Sequence, residues 1–227
     1  MMHNLLSFLR ELYENNNKEW FESHKKHYLE VKSFTETLTQ SLLNGISEFD
    51  PTACYLTPKD CTYRIYRDTR FSSDKTPYKT HIGIFINPPL GKKSLRMGYY
   101  LHLEPSNLSI GVGNIGLPTP ILASIRESIR DNLEEFLSII ENPGFKKLFP
   151  RISENLIKTA PKGFSKDWKY IDLVRPRDFY VSHKLKEKEA TAENFIAKSI
   201  KIFKIGKPFA DFINYTVDDF IYPNQMI

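Results

Sequence analysis

Thr80-His81-Ile82-Gly83-Ile84-Phe85-Ile86-Asn87, Met97-Gly98-Tyr99-Tyr100-Leu101-His102-Leu103-Glu104 and Leu108-Ser109-Ile110-Gly111-Val112 are the segments that decide the fold. All three read as strands bounded by turn signals. Pro88-Pro89-Leu90-Gly91 ends the first, and Pro105-Ser106-Asn107 turns between the second and third. Connectors this short favour antiparallel pairing, since parallel neighbours need a crossover of about a dozen residues. Upstream, Cys61 to Arg67 alternates, with Tyr63 and Ile65 on one side and Arg64 and Tyr66 on the other, and is expected to be a further strand. Arg177 to His183 is expected to add one more.

Helical periodicity surrounds these strands. Leu5 to Tyr13 suits a short helix ending in Asn15-Asn16-Asn17, and Asn17 can cap a longer one whose apolar stripe runs from Trp20 to Ile46. Thr119 as N-cap and Pro120 at the first helical position start a helix expected to reach Ile140, where Asn142-Pro143-Gly144 stops it. Short helices are expected over Gly144 to Leu148 and Ser153 to Lys158, and a final one over Thr191 to Ile205, with Phe209 to Phe212 beyond Pro208. The expectation is a single α+β domain, an antiparallel sheet flanked by helices: helical over 1–50, mainly strands over 60–115, and mixed, mainly helical, over 118–227.

The chain has 227 residues, a size at which folding removes roughly 70% of the unfolded surface from water. Two cysteines, Cys54 and Cys61, offer neither a CxxC spacing nor a Cys/His cluster, so no zinc site is expected. Low cysteine use and the absence of a signal-peptide pattern point to a reducing cytoplasm. No apolar run approaches a membrane span, and no membrane partner is expected. The net charge of +5 is mild and predicts no partner by itself. Its location says more: between Thr62 and His81 lie Arg64, Arg67, Arg70, Lys75 and Lys79 against only Asp68 and Asp74. Such a local surplus concentrates anions.

That segment, Tyr63-Arg64-Ile65-Tyr66-Arg67-Asp68-Thr69-Arg70-Phe71-Ser72-Ser73-Asp74-Lys75-Thr76-Pro77-Tyr78-Lys79-Thr80, carries the candidate site. Arginine offers a planar fork for carboxylate or phosphate, lysine a point charge and serine a hydroxyl. The expected ligand-binding set is Arg64, Arg67, Arg70, Ser72, Lys75, Tyr78 and Lys79, with Arg126 added from the following helix. Asp68 and Asp74 are the candidate catalytic bases or metal ligands, or else the partners that orient the arginines. Arg64 and Arg67 fall on opposite faces of a regular strand, so they share one site only where the strand bends. The competing reading is a salt-bridge network that pins the loop.

Other features carry less. Gly111-Val112-Gly113-Asn114-Ile115-Gly116 precedes a helix start but lacks the Lys-Ser/Thr of a phosphate loop, so a bulge or turn is favoured. His24 and His27 have helical spacing without further ligands. His81 and His102 lie on expected strands, where a hydrogen-bonded sheet histidine is favoured over a general base.

The string from Arg64 to His81 resembles the hallmark of the family known as domain of unknown function 2461. Asn15-Asn16-Asn17-Lys18-Glu19-Trp20-Phe21, Gly98-Tyr99-Tyr100-Leu101-His102-Leu103-Glu104-Pro105, Ile125-Arg126 and Ala160-Pro161-Lys162-Gly163-Phe164 resemble further motifs of it. The resemblance implies a single, cytoplasmic domain and carries no established activity. Where the family pattern has Asp-His-Pro, this chain has Asp167-Trp168-Lys169, which removes a histidine from that place.

The functional expectation is therefore binding, with or without turnover, of a small phosphate- or carboxylate-bearing ligand at residues 64–79. The alternatives are a nucleic-acid-binding module, in which Tyr63, Tyr66, Phe71 and Tyr78 stack bases, and an interaction protein in which the motif is structural. The sequence leaves the cofactor and the oligomeric state open.

Overall fold

A computed structural model describes residues 1–222. It is an α+β fold: a four-stranded antiparallel sheet, ordered β1-β2-β3-β4, with nine α-helices among the described residues. The strands are β1 (Ile82–Ile86), β2 (Gly98–Leu103), β3 (Leu108–Asn114) and β4 (Phe179–Leu185). The helices are α1 (Met2–Glu14), α2 (Lys18–Ser23), α3 (Lys25–Ser47), α4 (Pro58–Cys61), α5 (Thr119–Asp131), α6 (Leu133–Ile140), α7 (Pro143–Leu148), α8 (Glu187–Ala190) and α9 (Phe195–Ile221). No helix among the described residues is long and apolar enough to cross a membrane.

The chain clusters into two compact units. The first comprises Met1–Lys92, Tyr100–Ile110 and Lys184–Lys201. Its core is the apolar stripe of α1 (Leu5, Leu6, Phe8, Leu9 and Leu12), with Phe21 and Val31, Leu38, Leu42 and Ile46 of α3. The second comprises Lys93–Tyr99, Gly111–His183 and the chain from Ile202, with Ile121, Ile125 and Ile129 of α5 and Phe203, Phe209 and Ile213 of α9 buried. The expected segment 118–227 thus includes five residues, 223–227, outside the described ones.

One device recurs in both units. An asparagine side chain carries a donor and an acceptor and can pair with a backbone as a strand would. In the first unit, Asn16 Nδ2 donates to the Tyr78 carbonyl at 2.9 Å and the Tyr78 amide donates to Asn16 Oδ1 at 3.1 Å. In the second, the Met97 amide donates to buried Asn214 Oδ1 at 2.6 Å, and Asn214 Nδ2 donates to the Met97 carbonyl at 3.2 Å.

Several boundaries differ from the sequence reading. Cys61 to Arg67 is not a regular strand: Pro58 and a Thr57/Asp60 capping box wind residues 58–61 into α4, and only the isolated bridges Thr62–Ile84 and Tyr66–Tyr78 follow. The helix after Asn17 breaks at His24, whose imidazole turns back to the Trp20 carbonyl at 2.8 Å. Thr119 is a helical residue after Pro118 and makes no capping bond, and the helix it starts breaks at Asn132, whose amide groups turn back to Ser128. Ser153 to Lys158 is irregular rather than helical, with only the isolated bridge Leu156–Pro176, because Ser153 takes a left-handed φ of 52° and its hydroxyl accepts from the Asn155 amide. Helix α9 starts later than expected and runs through Pro208, since the apolar face continues to Val217 and its burial outweighs one missing backbone bond.

Within the second unit α9 lies close on β3 at Gly206. A Cβ there would stand 2.6 Å from Val112 Cγ2 and 3.1 Å from Val112 Cβ. Val112 is β-branched and stiff at χ1, so it cannot swing away. Gly206→Ala, which would gain about 1 kcal/mol in an open helix, is expected to lose about 1–3 kcal/mol in denaturant unfolding. A gain would show that the helix can slide off the strand. The two cysteines are free, with Cys54 exposed and Cys61 buried, and burial with the Asp60 charge pushes the Cys61 thiol up to about 12. Native protein should therefore show one fast thiol toward a disulfide reagent, at Cys54, and Cys61 only after unfolding. Fast reaction of both would contradict the packing around α4.

Candidate functional site

The segment after α4 forms a narrow ribbon: the Arg67 amide donates to the Pro77 carbonyl at 2.9 Å and the Lys79 amide to the Ile65 carbonyl at 2.8 Å. Asn16 clamps its returning arm at Tyr78, and the Tyr78 ring stacks on Phe21 at 4.0 Å between centroids. Tyr78 is 3% exposed and is a packing residue of this anchor.

Beyond the bridge, the charged groups of the loop bind one another. Arg67 Nη1 donates to both Asp74 and Thr76. Arg70 grips Asp68 with two parallel bonds, Nε to Oδ1 at 3.0 Å and Nη2 to Oδ2 at 2.7 Å. Lys75 Nζ donates to the Thr69 carbonyl at 2.9 Å. Ser72 sits half-buried in the turn, its amide toward the Thr69 carbonyl. The loop therefore brings Arg67, Arg70, Lys75, Asp68 and Asp74 together, each committed to a neighbour in the loop. Arg126 is elsewhere, in the second unit, where it donates to the Val174 and Pro176 carbonyls.

Both aspartates are held ionised. Bonds from the Arg70 side chain and backbone lower the Asp68 pKa. The Thr76 backbone, the Arg67 guanidinium and the Thr76 hydroxyl bring Asp74 to about 2. Carboxylates so fully occupied are poor proton acceptors.

Arg64 and Lys79 are different. Neither forms an ion pair among the described residues. Lys79 is half-buried with its ammonium 5.4 Å from the centre of the Tyr63 ring, and burial together with the Arg64 charge lowers its pKa. Lys92 approaches the same ring at 5.9 Å.

Beside Lys79 lies a polar cluster at the start of β1 and along the end of β2. Strand period sends Tyr99, Leu101 and Leu103 into the core and leaves Tyr100, His102 and Glu104 on the other face. The Tyr100 hydroxyl lies 3.0 Å from His102 Nδ1, and His102 Nε2 lies 3.2 Å from Glu104 Oε2. Asn107 Nδ2 donates to the same Glu104 oxygen at 3.0 Å. His81 stacks on His102 at 4.9 Å between centroids. Gly83 makes room for the tyrosine, since a Cβ there would stand 2.7 Å from the Tyr100 hydroxyl.

The electrostatics follow the geometry. Burial, then the His102 and Lys79 charges, lower the His81 pKa against the pull of Glu104. Burial acts to raise the Glu104 pKa, but the Asn107 and His102 bonds outweigh it and the net shift is downward. Burial, Tyr63 and Glu104 push Tyr100 up to about 12, so its hydroxyl stays protonated. A neutral His102 can accept from Tyr100 and donate to Glu104, which makes a hydrogen-bonded relay.

Strand periodicity puts His81 and His102 on strands but neither brings them to one point nor includes Glu104. The signal was present in Tyr100-x-His102-x-Glu104, three polar residues at strand period between apolar ones. His24 and His27 do not converge: His24 stacks on Trp20, and His27 Nε2 meets Asn4 Oδ1 at 2.8 Å. The Gly111 to Gly116 stretch is mostly strand, and side chains at Gly111 or Gly113 would run into the β4 backbone.

The closure of the loop has a pH signature. Asp74 has a folded pKa below its ordinary value, so its contribution is complete above the ordinary carboxylate pKa and is lost as pH falls through about 2. The Thr76 amide resonance should hold steady from about pH 5 to about pH 3. An inflection near the ordinary value of 3.8 would mean the Asp74 cap is not formed.

No curated protein and no solved structure matches the chain. The family described as conserved hypothetical protein (DUF2461) matches it over residues 4–212. That span includes the Asn16 clamp, the charged ribbon and the Tyr100–His102–Glu104 cluster, and on its extent the chain belongs to the DUF2461 family.

Proposed function

We propose that the protein binds a small anionic ligand, bearing phosphate or carboxylate, between Arg64 and Lys79 on the side of the ribbon that faces Tyr63. One observation carries this reading: two neighbouring cations, one half-buried, that form no ion pair among the described residues, while Asp68, the acid that feels the Arg64 charge, is itself gripped by Arg70. Like charges held together cost free energy unless an anion completes them. Arg67, Arg70 and Lys75 shape the loop in this reading and do not grip the ligand directly. The Tyr63 ring can stack on a planar portion of the ligand. Turnover, where it occurs, falls to the adjacent histidines, since Asp68 and Asp74 are occupied in the loop.

A second reading, nucleic-acid binding, draws on the exposure of Phe71, which is 97% accessible beside Arg70. The two are separable by salt. Contacts with several phosphates of a strand give binding that weakens steeply with ionic strength, whereas a small ligand gives a shallow slope.

The test is thermal unfolding of the full chain with inorganic phosphate, pyrophosphate, citrate and a short oligonucleotide. A small anion at about 100 times its dissociation constant should stabilise by about 2.7 kcal/mol, a rise of several degrees. Arg64→Ala should abolish the rise, and Arg70→Ala should keep it. Equal stabilisation of Arg64→Ala and the unsubstituted chain would refute the site.

A further inference from the structure

We propose that His81, His102 and Glu104 form a binding site for one divalent transition-metal ion of the zinc or ferrous class. The inference does not depend on the anion site. It rests on three ligand atoms, two imidazole nitrogens and a carboxylate oxygen, that lie within 4.8 Å of one another. Metal bonds of about 2.0–2.2 Å put neighbouring ligands roughly 3–3.5 Å apart. His102 Nε2 and Glu104 Oε2 already stand at 3.2 Å, so small side-chain rotations of His81 close the set.

The donor set selects the ion. Two imidazoles and one carboxylate suit zinc, iron, cobalt or nickel, whereas calcium and magnesium prefer all-oxygen shells. Three protein ligands leave coordination positions for water or a ligand atom, as in catalytic rather than structural metal sites.

A built outer shell distinguishes this cluster from a chance meeting of polar groups. Ligand histidines usually donate their second ring N–H to a fixed acceptor, and ligand carboxylates are themselves hydrogen-bonded. Tyr100 stands 3.0 Å from His102 Nδ1, in place to accept that proton, and Asn107 holds Glu104. His81 supplies the remaining argument: half-buried, its ring nitrogens have no hydrogen-bond partner among the described residues, yet it is stacked against His102.

Loading needs no net proton release from His102. In the neutral tautomer with the proton on Nε2, Nε2–H donates to Glu104 and the Tyr100 hydroxyl donates to Nδ1. With metal, the proton sits on Nδ1, the Tyr100 oxygen accepts it, and the Nε2 lone pair goes to the ion.

The experiment is titration of the chelator-treated 227-residue chain with Co²⁺, read by visible d–d absorption, and with Zn²⁺, read by calorimetry. One ion per chain is expected, with loss of the signal in His81→Ala and His102→Ala. Glu104→Gln keeps the side chain's shape and should weaken binding by at least about tenfold. His24→Ala and Arg64→Ala should bind as the unsubstituted chain does, which separates this site from the histidines of the helical region and from the anion site. Absence of binding, or binding unchanged by His81→Ala and Glu104→Gln, would overturn the proposal and leave the cluster a hydrogen-bonded relay.

Discussion

The period of two along β2 is the constraint on which the rest depends. Tyr99, Leu101 and Leu103 are almost wholly buried, and the residues between them must then face the other way. A slip of one residue would put His102 and Glu104 into an apolar core and expose two leucines. Burial of one face thus fixes the position of Tyr100, His102 and Glu104 on the other. The energetics of the core and the geometry of the polar cluster are one choice.

The second constraint is the pairing of asparagine amides with backbone. Asn16, in the turn between α1 and α2, satisfies both polar groups of Tyr78. Phe21, one turn into the following helix, supplies the ring on which Tyr78 stacks. The amino-terminal Asn-Asn-Asn-Lys-Glu-Trp-Phe motif and the charged ribbon are therefore parts of one structure in the first unit. This anchoring fixes the ribbon's returning arm, and with it Lys79 and His81 just beyond.

Much of the fold was legible because strand and turn signals are local. The three central strands, the Asn17 cap and the short helix ending at Leu148 read directly from spacing and turn chemistry. The errors share a cause, namely side-chain bonds that turn the chain locally against its periodicity. His24, Asn132 and Ser153 each return a bond to a nearby backbone group, and the Thr57/Asp60 box winds a turn where alternation suggested a strand. Pro208 erred in the other direction, because a long buried face tolerates one lost bond. At the site, composition located the charged ribbon but could not say which charges neutralise one another. That depends on the turn geometry of Asp68 and Asp74, which bind Arg70 and Thr76 two residues on. Alternation in Tyr100-x-His102-x-Glu104 marks the His102–Glu104 pair, but the meeting of that pair with His81 is a cross-strand event that nothing in the His81 segment marks.

The central claim is that the open face of β1 and β2 carries a formed polar network beside unpaired cations. Nuclear magnetic resonance of the metal-free chain labelled with ¹⁵N at histidine tests it most directly. The account predicts a slowly exchanging imidazole proton on His102, coupled through space to Tyr100 or to Asn107, and through-space contacts between the His81 and His102 rings. A fast-exchanging His102 proton with no contact between the two rings would contradict it.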